Sequence, residues 1–124
     1  RLLHMAIEMK TTYGNIDITN DVVATLAGGA AMECFGVVGM ASQAQLKDGI
    51  AELLKRENYA RGVVVRQDGD DVHIDMHIIV SYGTKVSEVA YNVQSRVKYT
   101  LGETLGLNVS SVNIFVQGVR LTND

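Results

Sequence analysis

The chain has 124 residues, no proline or tryptophan, one cysteine, and a formal net charge of −3 with a pI of about 5.5. Apolar residues make up 47% and charged residues 20%, a balance that suits one packed globular core and excludes a disordered chain. The acidic surplus weighs against a protein that grips phosphate backbones or anionic lipid surfaces.

No apolar run approaches the ~20 residues needed to cross a bilayer. The N-terminus lacks the apolar core of a secretory signal. Residues 1–4 read as a remnant ahead of a natural start at Met5, which leaves a single domain over residues 5–124. With Cys34 as the only cysteine, no intramolecular disulfide can form, and a reducing compartment is expected.

In chain order, Ile7/Met9 and Ile16/Ile18 alternate around a break near Gly14 and read as one strand or two short ones. Thr19 or Asn20 then caps a helix in which Val22, Val23, Leu26, Ala27 and Ala30 recur at helical spacing. Gly28 and Gly29 each cost that helix roughly 1 kcal/mol relative to alanine, and the expected return is the close approach of another backbone. "FGVVGM" reads as a short buried strand bounded by Gly36, with Gly39 near its end.

Residues 42–58 read as a second helix. It opens on a Ser42–Gln45 capping box and carries an apolar stripe of Leu46, Ile50, Leu53 and Leu54. "GVVVRQDGDDVHIDMHIIV" reads as a hairpin with a type I′ turn at Asp68-Gly69. That register sets Val65 opposite Val72, Val63 opposite Ile74, and Arg66 opposite Asp71 as a charge pair.

The strongest helical pattern follows, with Thr84 as N-cap and a stripe of Val86, Val89, Ala90, Val93, Val97 and Leu101. It stops at Gly102, or at Gly106 with Leu107 supplying the apolar contact of a Schellman motif. "LNVSSVNIFVQGV" closes the chain as a strand, with Val112, Ile114 and Val116 on one face and Asn113, Phe115 and Gln117 on the other. The order β-α-β-α-β-β-α-β implies an α+β fold, a mixed sheet with its helices packed mainly on one face. Phe115 on the polar side points to a second covered face, which a partner subunit would supply.

The segment with most chemistry is "VHIDMHIIV". His73, Asp75 and His77 alternate with apolar residues, so they share one strand face. At ~3.4 Å per residue the two histidines lie roughly 13–14 Å apart, too far to share one zinc with bonds of ~2.0–2.1 Å. The polar face of a strand is the favoured reading over a metal or acid/base site. Cys34 has Glu33 and Phe35 beside it, neither of which activates a thiol, so it reads as a small, partly buried filler. No G-x-S-x-G elbow is present. The carboxylates at Asp68, Asp70 and Asp71 lack the ligand series of a calcium loop and read as a solvated tip. A G-x-x-G between helices is how K-homology domains clamp nucleic acid, but Val37 and Val38 occupy its polar positions. Tyr82 before Gly83 reads as a strand-end anchor. Tyr91 and Tyr99 lie on the outer side of the long helix, as plain surface or as a contact patch.

In their order, "YGNIDITNDVVATLAGGAA", "GVVGM", "GVVV", "VHIDMHIIVSYGTKVSEVAYNVQSRVKYTL" and "LGLNVSSVNIFVQGV" resemble the alkaline-shock-protein family, also described as an envelope stress response family of Gram-positive bacteria. The helix over residues 42–58 and the short tail after Val119 look like its YloU-like branch. The resemblance implies a small cytoplasmic α/β protein without catalytic activity, cofactor or metal. It also implies self-association and attachment to the envelope through a separate membrane-anchored protein. The matching Gly14, Gly36, Gly39, Gly83 and Gly118 read as backbone punctuation. The expectation is therefore a non-enzymatic stress-response protein acting as a homo-oligomer, with His73, Asp75, His77, Phe115, Tyr91 and Tyr99 as candidate contact residues. The alternatives are a nucleic-acid module using Gly36 to Gly39 and a metal-dependent enzyme using His73, Asp75 and His77. Mild pH sensitivity through the two strand histidines is a further expectation.

Overall fold

The computed structural model describes residues 6–42 and 56–121. Its elements are β1 (Ala6–Thr11), β2 (Gly14–Thr19), α1 (Asn20–Met32), β3 (Val37–Met40), a 3-10 segment (Arg56–Gly62), β4 (Val63–Asp68), β5 (Asp71–Ser81), α2 (Val86–Leu105) and β6 (Ser111–Arg120). The fold is α+β. The expected helix over residues 42–58 falls mostly outside the described residues, together with its capping box.

Of the two readings for the first segment, two short strands is the one that holds: β1 pairs antiparallel with β2 from Ala6↔Thr19 to Thr11↔Gly14. The Thr11 hydroxyl donates to the Gly14 carbonyl at 3.0 Å and holds the turn closed. Thr19 caps α1 as expected, its hydroxyl accepting the Val22 N–H at 3.3 Å. At Gly28 an added Cβ would lie 2.9 Å from the Cβ of Tyr59 and 3.3 Å from its carbonyl oxygen. The expected backbone approach therefore occurs there, against the 3-10 segment. Gly29 faces open space.

The main sheet is organised around β5. β6 runs parallel to it from His73↔Ser111 to Ser81↔Arg120. β4 is antiparallel to residues 71–76 of β5, and β3 is antiparallel to residues 78–80. Because these stretches also pair with β6, β4 and β3 must follow one another along the opposite edge of β5. Val72, Ile74, Met76, Ile78 and Val80 turn to one face and are buried with Val23, Ala27, Ala31, Val89, Val93, Val97 and Leu101 of the two helices. The hairpin adds Ile7 to the same core.

Three local expectations are corrected. The β4–β5 register is Val65↔Ile74 and Val63↔Met76, two residues away from the expected pairing. Gly69 and Asp70 form the loop; Gly69 alone takes a positive φ of 65°, the pattern of a type II′ turn. A type I′ turn at Asp68-Gly69 would have forced Asp68 into the left-handed region. Because the shift is two residues, every side chain keeps its face, but the partner of Arg66 changes.

Thr84 is not the N-cap of α2. Its hydroxyl donates to the Ser81 carbonyl at 2.7 Å, and Lys85 stands at the cap without a side-chain bond. The helix passes through Gly102 and ends at Gly106, whose φ of 71° is left-handed. The stop is the αL form: the Gly106 N–H donates to the Gly102 carbonyl at 3.0 Å, with Leu107 buried beyond it.

Gly36 to Gly39 do not form a loop between helices. Val37 to Met40 are strand β3, Val37 is buried, and the chain pairs with β5. Gly36 itself sits at φ 94°, where an added Cβ would come within 2.6 Å of Val89 Cγ2. Only glycine fits both the backbone and the space. Gly14 and Gly83 also take positive φ. Gly118 lies just beyond the shift in the β5–β6 register.

Candidate functional site

Alternation along β5 turns His73, Asp75 and His77 to the face opposite the helix core, as expected. The other strands supply their neighbours. Asp75 is paired with Val64 on one side and Asn113 on the other, and His77 with Phe115.

Asp75 is the hub. Arg66 reaches it with two hydrogen bonds, Nε to Oδ2 at 3.0 Å and Nη2 to Oδ1 at 2.9 Å. Asn113 donates its amide to the same Oδ1 at 2.9 Å and to the Ser111 hydroxyl at 3.3 Å. Ser111 Oγ lies 2.7 Å from His73 Nδ1. The guanidinium bonded to Asp75 holds its carboxyl below the usual carboxylate range against some desolvation, with help from the Asn113 amide. The result is a polar lattice across three strands, Arg66–Asp75–Asn113–Ser111–His73, whose members are occupied with one another.

His77 differs. It is only 5% exposed, and its ring stacks on Phe115 with centroids 5.0 Å apart and planes 19° apart. Among the described residues its Nδ1 is buried without a hydrogen-bond partner. Burial pushes its pKa below the ordinary 6.5, partly countered by the charge of Asp75, so His77 is neutral at pH 7.

The candidate contact residues therefore divide. His73, Asp75, His77 and Phe115 lie together on the outer sheet face. Tyr91 and Tyr99 are exposed on α2, which packs on the other face. Among the described residues, no group of three His, Cys, Asp or Glu side chains could hold a metal ion. Both oxygens of Asp75 already carry donors. Cys34 lies near the carbonyls of Ala30 and Asn92, at 3.7 and 3.8 Å. Burial raises its thiol pKa, with Arg96 opposing and Glu33 adding, so this thiol is not activated. Tyr82 anchors the end of β5 through its backbone, whose N–H donates to the Arg120 carbonyl at 2.8 Å.

Sequence reasoning missed Arg66, Ser111 and Asn113 as partners. A turn at Asp68-Gly69, one residue before the observed loop, shifts the pairing by two and puts Asp71 opposite Arg66. Asn113 was placed on the correct face, but nothing in its own segment named Asp75 as its neighbour. It also missed Phe35, 85% exposed between two hollows. Tyr82 lines one hollow and Tyr99 the other.

Among the described residues, no helix is long and apolar enough to cross a membrane. The chain is 65% identical over 119 residues to an uncharacterized protein, YloU, of Bacillus subtilis, covering 96% of this chain and 99% of that one. It is 44% identical over 120 residues to an uncharacterized protein of Streptococcus pyogenes serotype M6, covering 97% and 99%. It is 30% identical over 110 residues to the uncharacterized YqhY of Bacillus subtilis, covering 89% and 80%. No solved structure matches it. Residues 8–121 match the profile of the alkaline shock protein 23 family, described as having a cell envelope-related function, and the chain belongs to that family.

Proposed function

We propose that this chain is a non-catalytic adaptor of the cell envelope, acting from the cytoplasmic side by self-association and by contact with a membrane-anchored protein during envelope stress. The observation that carries this reading is the outer sheet face. There an exposed Phe115 stacks on a buried, neutral His77, beside a polar lattice whose members are bonded to one another. Such a face is pre-organised for recognition, because its side chains are ordered before a partner arrives. It suits proton transfer poorly, since Asp75 is held ionised by Arg66 and His77 is desolvated. The acidic net charge and the strand conformation of Val37 to Gly39 favour a protein partner over nucleic acid.

Sedimentation velocity over a wide concentration range, paired with affinity capture from the solubilised envelope fraction, tests the proposal. Concentration-dependent association and enrichment of a membrane-anchored protein are the expected results. A strict monomer that enriches no envelope protein overturns it. A bound metal in the purified protein that is lost in His77→Ala would overturn the non-catalytic half.

A further inference from the structure

Strand β6 has one edge paired with β5; among the described residues no strand pairs with the other. The Val112 carbonyl accepts the side-chain amide of Gln94 at 2.9 Å, which places the backbone polar groups of Val112 on that outer edge. Alternate residues of a strand turn their N–H and C=O to the same edge. Ile114 and Val116 therefore present theirs outward as well, with no partner among the described residues. Gln94 covers one carbonyl at the start of the edge, and no other described residue bonds to the stretch from Ile114 to Val116 along it.

An open strand edge is a template for another strand, and proteins normally blunt it with charge, proline or brevity. The other strands here follow that rule. β1 carries Glu8 and Lys10, β2 carries Asp17, β4 carries Arg66 and Asp68, and β3 is only four residues long. β6 is ten residues long and carries no charge before Arg120. Exposed apolar side chains accompany it: Phe115, Val119 and Leu121. An uncharged, apolar edge of this length invites pairing with another strand unless something covers it.

We propose that β6 pairs antiparallel with β6 of a second copy of this chain, about a two-fold axis at Phe115, joining the two main sheets into one. This deepens the self-association reading above and rests on it. A second copy is the occupant the edge fits, because antiparallel pairing of a strand with itself is two-fold symmetric and needs no charge complement. The outward groups select the register. Ile114 and Val116 flank Phe115, so Ile114 of one copy and Val116 of the other exchange both hydrogen bonds on each side of the axis. The two Phe115 residues then face each other as a non-hydrogen-bonded pair, where Cα atoms approach to about 4.5 Å. The rings meet on the outer face and extend the His77–Phe115 stack across the junction. The register shift near Gln117 limits the pairing to the stretch before it.

Sedimentation equilibrium of the wild type and of Phe115→Lys tests the edge, because the lysine sets like charges opposite each other at the axis. The dissociation constant is expected to rise at least roughly tenfold. A second measurement covers a variant that fails to fold. Phe115→Cys in a Cys34→Ser background, treated with a mild thiol oxidant, is expected to form a disulfide-linked dimer, since the pair lies within bridging distance. Glu8→Cys in the same background serves as the control and should not. Self-association that survives Phe115→Lys, with no cross-link at position 115, overturns this interface while leaving the self-association reading intact. A wild type that stays monomeric at every concentration overturns both.

Discussion

The rings of His77 and Phe115 stack 5.0 Å apart and tie the central strand β5 to the edge strand β6 on the outer sheet face. The histidine contributes packing there at the cost of a buried Nδ1 that has no hydrogen-bond partner among the described residues.

His77→Phe keeps the stack and removes the unpaired nitrogen. Urea unfolding at about pH 8 should show it neutral or more stable by up to about 1 kcal/mol. A large loss would show that the nitrogen is bonded in solution.

The same residue sets an acid dependence. Its folded pKa lies below the unfolded value near 6.5, so the unfolded chain binds the proton more readily. Stability is therefore complete at high pH and falls as pH drops through the unfolded pKa towards the folded one. Wild type should lose stability between about pH 8 and pH 5.5, and His77→Phe should lose less. Identical slopes in the two proteins would remove His77 as a source of pH sensitivity.

Asp75 adds an acid dependence of the same sign at lower pH. Its folded pKa is lowered, chiefly by the Arg66 hydrogen bonds. Its stabilisation is present at neutral pH and disappears as pH falls through that lowered value. Asp75→Asn should melt below wild type at pH 7, and the gap should close in strong acid. A gap that persists at about pH 2 would trace the effect to packing rather than charge.

Gly36→Ala should be among the most damaging single-methyl changes, at roughly 2–4 kcal/mol. The new Cβ meets Val89 Cγ2 at 2.6 Å and the backbone is at φ 94°. Adding Val89→Ala should recover only part of the loss, because it relieves the clash and not the backbone. Full recovery would show that the strain is steric alone.

The adjacent glycines of α1 should respond with opposite signs. Gly29→Ala enters open space and should stabilise by about 0.5–1 kcal/mol through helix propensity. Gly28→Ala drives a Cβ to within 2.9 Å of Tyr59 Cβ and should destabilise by about 1–3 kcal/mol. Thermal melts of the two variants check this, and equal shifts would refute the close approach.

Much of the candidate face was legible because a strand has a period of two. His73, Asp75 and His77 had to share a face, and Val112, Ile114 and Val116 had to oppose Phe115. The partner of Arg66 was not legible. Two registers differing by two residues place every side chain on the same face, and the choice between them depended on which residue of the turn takes the positive φ. Nor did any local pattern separate Tyr91 and Tyr99 from the histidine strand, since exposure on a helix says nothing about which sheet face the helix covers.

By itself the sequence determined the elements with strong periodicity, the Thr19 cap, the composition of the core and, through the order of its segments, the family. These depend on residues close together along the chain, where helix and strand periods act directly. Only the tertiary structure decided that β6 lies beside β5, that Asp75 collects Arg66 and Asn113, and that Phe115 closes over His77. Those pairings join residues 9 and 38 positions apart, and the parallel β5–β6 pairing depends on how α2 returns the chain across the sheet.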